Sequence, residues 1–178
     1  MGEMRKELAE AVKKPFTNRR TKATAIKTEE AETIGKAIAL AVLLRGAIAR
    51  DYRSREIEAI YQAEGTARIG LALERLLAGL DTLGMDREQA LAVVKEVALD
   101  SVPPLRRRAY DTVCKYTNIE TGDIAIDLGL PTNSARRILE DLEAHGLVTR
   151  FSQGDGKPHL WNKSTCEADE AAADATAD

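Results

Sequence analysis

Gly129-Leu130-Pro131-Thr132-Asn133-Ser134-Ala135-Arg136-Arg137-Ile138-Leu139-Glu140-Asp141-Leu142-Glu143-Ala144-His145-Gly146-Leu147-Val148 is the stretch on which the reading of this chain turns. Gly129 permits a sharp turn and Pro131 stiffens it. Thr132 is an N-cap candidate, its hydroxyl suited to accept a backbone N–H at a helix start. Ala135, Ile138, Leu139 and Leu142 recur at i, i+3, i+4 and i+7, which draws one apolar stripe along a helix. Gly146 suits the left-handed position past the helix end, and His145 sits near the negative pole of the helix.

The flanking residues extend this helix into a unit spanning 103–163. Pro103-Pro104 can open a helix running through Tyr116 without losing a needed donor. A short helix is predicted around Asp123–Leu128. After Gly146, Leu147–Phe151 and His159–Asn162 flank a Gly154-Asp155-Gly156-Lys157 tip, a turn signal between two β-prone runs. The order helix, helix, turn, helix and hairpin predicts a mainly α chain. Its N-terminal part is a helical region, and its C-terminal part is a winged helix-turn-helix with a small β-hairpin wing, an arrangement used mostly to hold DNA.

With the stripe buried, Asn133, Ser134, Arg136 and Arg137 fall on the open side of the first two turns, beside Thr132. Asn pairs with adenine, Arg with guanine, and Ser or Thr with phosphate or a base edge. Lys157 at the hairpin tip and His159 beside it are placed to reach an adjacent backbone or minor groove. Thr132, Asn133, Ser134, Arg136, Arg137, Lys157 and His159 are therefore the candidate contacts to double-stranded DNA. The bland alternative is a solvated face on a small helical domain.

Charge restrains the DNA reading. Residues 103–163 carry nine Lys/Arg against eight Asp/Glu, a difference of +1. A tight autonomous DNA binder has a more basic footprint. The charge is polarised, because Glu140, Asp141 and Glu143 follow the arginines and are expected along the rear of the helix, Glu143 in solvent. Modest or partner-assisted DNA binding fits this balance.

Leu130 to Val148, with Ala-Arg-Arg-Ile-Leu-Glu-Asp-Leu-Glu-Ala-His-Gly-Leu-Val inside it, resembles the recognition-helix segment of ArsR- and MarR-type winged-helix regulators. A wider resemblance rests on Arg53-Ser54-Arg55-Glu56-Ile57-Glu58, on Thr66-Ala67-Arg68, and on Val97 to Arg108. These are similar to the C-terminal part of actinobacterial and phage ATP-binding proteins, P-loop ATPases of mobile elements that end in a winged helix. That resemblance implies an ATPase partner, and it aligns Arg68 with a phosphate-sensing arginine of ATPase lid domains. No nucleotide core accompanies it. A P-loop needs Gly-x-x-x-x-Gly-Lys-Ser/Thr, and Gly35-Lys36-Ala37 lacks both the upstream Gly and the hydroxyl.

Composition fits an α-rich globule, with 44% hydrophobic, 31% charged and 4% aromatic residues. Cys114 and Cys166 make neither a disulfide framework nor, with two histidines, a zinc spacing. Cys114 is expected to be a buried structural thiol. No catalytic constellation and no cofactor motif stands out, so the chain is not expected to be an enzyme. The most apolar run, Ala37–Leu44, falls short of the ~20 residues of a membrane span. The N-terminus lacks the apolar core of a signal peptide, and a cytoplasmic protein is expected.

The expected organisation has four parts. Residues 1–28 form a basic segment, with eight bases against two acids between Arg5 and Lys27. Residues 29–102 form a helical region, either a dimerisation bundle or an ATPase-lid-like one. Its helices are read over Glu29–Arg50, over Thr66–Leu83, and from an Asp86/Gln89 capping box through Leu99. Residues 103–163 are the winged helix. Residues 164–178 are an acidic tail of five carboxylates, expected to be disordered and able to compete with DNA for the basic face. The functional expectation is a transcriptional regulator or accessory DNA-binding factor, with a homodimer as one reading of its partners. The competing reading is the C-terminal interaction or DNA-guiding module of a mobile-element ATPase.

Overall fold

The computed structural model describes residues 2–17, 24–61, 65–154 and 156–164. The expectations for the acidic tail beyond Ser164 lie outside the described residues. The chain divides into two compact units, Met1–Ala41 with Gly65–Ser101, and Val42–Glu64 with Val102–Asp178. This differs from a single boundary at 102/103, because residues 42–64 group with the C-terminal part of the chain.

The first unit is helical: α1 (Gly2–Thr17), the first part of α2 (Thr28–Arg45), α3 (Thr66–Thr82) and α4 (Arg87–Asp100). Along α3, Leu73 and Leu77 are buried, and along α4 Ala90, Val94 and Ala98 are. These spacings bring the two helices together as a hairpin around Gly84, which takes φ 80°. Asp86 caps α4 as the sequence predicts, its carboxylate accepting from the N–H groups of Glu88 and Gln89. Arg87 in the first turn of α4 grips Glu30 in a fork, Nε to Oε1 at 2.9 Å and Nη2 to Oε2 at 2.7 Å.

That fork makes a pH-dependent prediction. The Arg87 hydrogen bonds, with that from the Lys27 N–H, hold the Glu30 carboxyl at about 2 against its ordinary 4.5. A depressed carboxyl stabilises the fold fully above its unfolded value, and the contribution disappears as pH falls from about 4.5 through about 2. Thermal melts of Glu30→Gln should lie below the parent at neutral pH and converge with it on acidification. Parallel curves down to the lowest pH would contradict the fork.

The second unit holds α5 (Pro104–Lys115), β3 (Ile119–Glu120), α6 (Thr121–Leu128), α7 (Thr132–Ala144), β4 (Val148–Ser152) and β5 (His159–Lys163), with a hairpin of β1 (Ile48–Arg50) and β2 (Ile57–Ile60). The three-stranded sheet runs β3-β5-β4, all antiparallel, with Ile119 opposite Trp161 and Trp161 opposite Arg150. Helix, strand, two helices and a hairpin, with the first strand closing on the last, is the winged-helix fold. The expected fold class holds. The strand β3 was not expected; Asn118 enters it at φ 55°, its N–H donating to Asn162 Oδ1 at 2.7 Å.

The core of this unit contains Ala109, Val113, Ile124, Leu128, Ala135, Leu139, Leu142, Val148 and Trp161. Trp161 is wholly buried, and its indole N–H donates to Thr121 Oγ1 at 2.9 Å. Thr112 Oγ1 donates to Asp127 Oδ2 at 2.6 Å, which ties α5 to α6.

Two expectations are corrected in these elements. The helix read over Glu29–Arg50 ends at Arg45, and Ile48–Arg50 is a strand. Gly46 is a poor helix residue, and its place against the His145 ring, where an added Cβ would stand 2.2 Å from Cε1, leaves no room for a better one. Cys114 is exposed rather than buried, because α5 turns Ala109, Thr112 and Val113 inward and leaves the next position outside.

Candidate nucleic-acid interface

Helix α7 is the natural centre of a site, and its placement begins at the turn before it. Gly129 takes φ 67°, its N–H bonding the Ile126 carbonyl at 3.1 Å while Leu130 N–H bonds that of Ala125 at 2.9 Å. This left-handed ending stops α6 and lets the chain reverse into α7. The expectation for Thr132 is corrected here. Pro131 is the N-cap, with φ −59° and ψ 142°, and no side chain caps the helix. The Pro131 carbonyl accepts from Ser134 and Ala135, at 2.9 and 3.1 Å, so helical bonding already starts one residue earlier. Thr132 lies inside the first turn and is exposed.

Ala135, Leu139 and Leu142 are buried and Ile138 half-buried, as the stripe predicts. Thr132, Asn133, Arg136 and Arg137 are exposed, and Ser134 is half-buried. At about 100° per residue, Asn133, Arg137 and Glu140 lie on the side opposite that stripe. Glu140 thus shares the open face instead of running along the rear. Arg136 lies 3.5 Å from Glu140, one turn on. Glu143 is half-buried, not solvated, and faces Arg150 Nη2 at 3.4 Å.

Sequence reasoning missed the partner of this face, the β1–β2 hairpin. Arg50 at the end of β1 reaches α7 with its whole guanidinium. Nη2 donates to Asp141 Oδ1 at 2.6 Å and to the Arg137 carbonyl at 3.2 Å, and Nη1 to Glu140 Oε2 at 3.1 Å. Burial alone would lower the Arg50 pKa, but the hydrogen bonds and charges of Asp141 and Glu140 hold it above the ordinary value. Arg106 of α5 takes the other Asp141 oxygen at 3.1 Å and also bonds the carbonyls of Leu44 and Gly46. Asp141 is therefore a buried-side anchor for two arginines, joining the hairpin, α5 and α7.

A groove of about 500 Å³ opens beside this anchor. Ser54, Arg55, Glu56 and Ile57 of the hairpin form one side, Arg136, Arg137 and Glu140 belong to α7, and Arg150 to β4. Arg150 also lies over the Trp161 ring, 5.9 Å from its centre. The structure thus gathers Arg136 and Arg137 with three arginines that the sequence reading did not single out as contacts. Lys157 and His159 do not line the groove. Lys157 is exposed in the turn, and His159 is half-buried on β5, paired with Ser152 two rungs beyond Arg150. A local signal for the hairpin existed: Gly46 is a poor helix residue, Asp51 and Ser54 favour a turn, and Ile57 and Ala59 alternate with Glu56 and Glu58.

Among the described residues, no group of three or more His, Cys, Asp or Glu is placed to hold a metal ion. No helix among them is long and apolar enough to cross a membrane. Arg68, aligned by resemblance with a phosphate sensor, is exposed in the first turn of α3.

No protein-family model matches the chain, and no curated protein matches it. A solved structure of the transcriptional regulator SlyA is similar to it, at 16% identity and a TM-score of 0.34, over 61% of this chain and 68% of that one. The winged-helix assignment rests on the order of helices and strands described above, not on that overlay.

Proposed function

We propose that this chain is a winged-helix DNA-binding protein, a transcriptional regulator or accessory DNA-binding factor, with α7 as its reading helix. The observation that carries the reading is the division of α7. Ala135, Leu139 and Leu142 of its apolar stripe are committed to the core, while Asn133, Arg136 and Arg137 stand exposed on its first two turns beside an arginine-lined groove. A buried stripe fixes the helix in place, and the exposed polar set matches the donors and acceptors of base edges. The small net charge of residues 103–163 makes local arrangement more important than bulk attraction, so affinity for random duplex should be modest and strongly salt-dependent.

Alanine at Arg136 and at Arg137 tests this. Each substitution should weaken binding to a preferred duplex by about 1–3 kcal/mol if the side chain meets a base. Circular dichroism should be unchanged, because both residues are exposed. Unaltered affinity in a normally folded double variant would remove α7 as the reader.

A further inference from the structure

We propose that the β1–β2 hairpin is a second phosphate-contacting arm, with Arg53 and Arg55 gripping the DNA backbone on the side of α7 away from the wing. The proposal rests on the reading of α7 above and extends it to an element with no counterpart in the six helices and strands that make up the winged helix itself.

Three observations carry it. The first is charge left over. Arg50, Arg136 and Arg150 face carboxylates. Arg53, Arg55 and Arg137 are exposed and have no carboxylate within ion-pair distance among the described residues. These are the cations available to an incoming anion. Glu56, next to Arg55 in the tip, also lines the groove, so the free cations act through their own side chains and not through a net positive charge of the tip.

The second is a held tip. The Asp51 carboxylate accepts from the N–H groups of Arg53 and Ser54, at 2.9 and 2.6 Å. Arg55 N–H donates to the Asp51 carbonyl at 3.0 Å, and its guanidinium lies over the Tyr52 ring, 5.6 Å from the centre. Arg50 Nη1 donates to the Arg55 carbonyl at 2.9 Å while its other nitrogens hold α7. One arginine thus fixes the tip relative to the reading helix, and less ordering remains to be done on binding.

The third is position. Arg50 of the hairpin meets α7 at Asp141, and Arg150 of the first wing strand meets it at Glu143; at about 100° per residue these two positions lie on opposite flanks of the helix. A helix lying in a major groove about 12 Å wide has a phosphate strand on each side. The wing serves one strand, and the hairpin is placed for the other. Phosphate contacts position a protein without reading sequence, so this arm supplies affinity and register while α7 supplies discrimination.

The test is a salt series on the full chain with a duplex of fixed length. Each phosphate contact contributes about 0.9 to the slope of log affinity against log salt. Arg53→Ala with Arg55→Ala should flatten the slope by about 1.8. Binding should weaken by the same factor on every duplex tried, leaving the ratio between preferred and random sequences intact. Arg53→Ala alone, which leaves the Arg55 contacts in place, should remove about half of that change, and lysine at both positions should retain the parental slope. A parental slope in the double alanine variant, while Arg136→Ala and Arg137→Ala still weaken binding, overturns the arm and leaves α7 as reader. No duplex binding by the intact chain at any salt overturns both.

Discussion

Replacing Trp161 with alanine is expected to destabilise the winged-helix unit by about 3–5 kcal/mol, the cost of emptying a fully buried aromatic position. Trp161 is the only tryptophan of the chain and is 0% exposed. It sits on the central strand of the sheet, opposite Ile119 on one neighbour and Arg150 on the other. Its removal leaves a cavity and also strands the buried Thr121 hydroxyl, whose oxygen accepts the indole N–H. Trp161→Phe refills most of the space but not the hydrogen bond, so it should fall between the two, with about 1–3 kcal/mol of its loss coming from the unsatisfied hydroxyl. Urea unfolding followed by circular dichroism orders the three proteins. An alanine variant as stable as the parent would mean that the sheet does not close over α6.

The second large effect is expected at Asp141. Its carboxylate receives Arg50 on one oxygen and Arg106 on the other. Side-chain exposures of 16–18% place all three groups mostly out of water. Removing the shared acceptor leaves two enclosed guanidinium groups without it. A fully buried pair broken in this way loses about 3–5 kcal/mol, and the residual exposure here brings the expected cost of Asp141→Ala to about 2–4 kcal/mol. Asp141→Asn keeps the shape and one acceptor, and should cost less. The hairpin should also loosen from α7, so limited proteolysis at Arg53 and Arg55 by trypsin should accelerate in Asp141→Ala. Unchanged stability together with an unchanged cleavage rate would remove Asp141 as the anchor.

What could be read from the sequence follows from the range of the interactions involved. The stripe Ala135, Leu139, Leu142 was legible because a helix writes its burial at a fixed local period. The Gly129 turn and the Asp86 cap were legible for the same local reason. Strand β3 was not, since two residues carry no period and they pair with Trp161 and Leu160, far along the chain. Helix α2 was extended too far because Ala47-Ile48-Ala49 continues an apolar pattern, whereas Gly46, a poor helix residue placed against His145, follows its end. The placement of Thr132 failed because a hydroxyl near a helix start signals a cap without saying which residue supplies it. The roles of Arg50 and Arg106 had no local signature. Only the fold brings Arg50 to Asp141, and that contact turns an ordinary arginine into the link between hairpin and reading helix.

The most direct measurement is amide chemical-shift mapping of the isotope-labelled chain titrated with duplex DNA at low salt. The account predicts perturbations concentrated at residues 132–137 of α7, at the hairpin tip 51–56, and at the wing around Arg150 and Lys157, all fading together as salt is raised. Shifts confined to surfaces away from α7, or no shifts under conditions where the chain is folded, would contradict it.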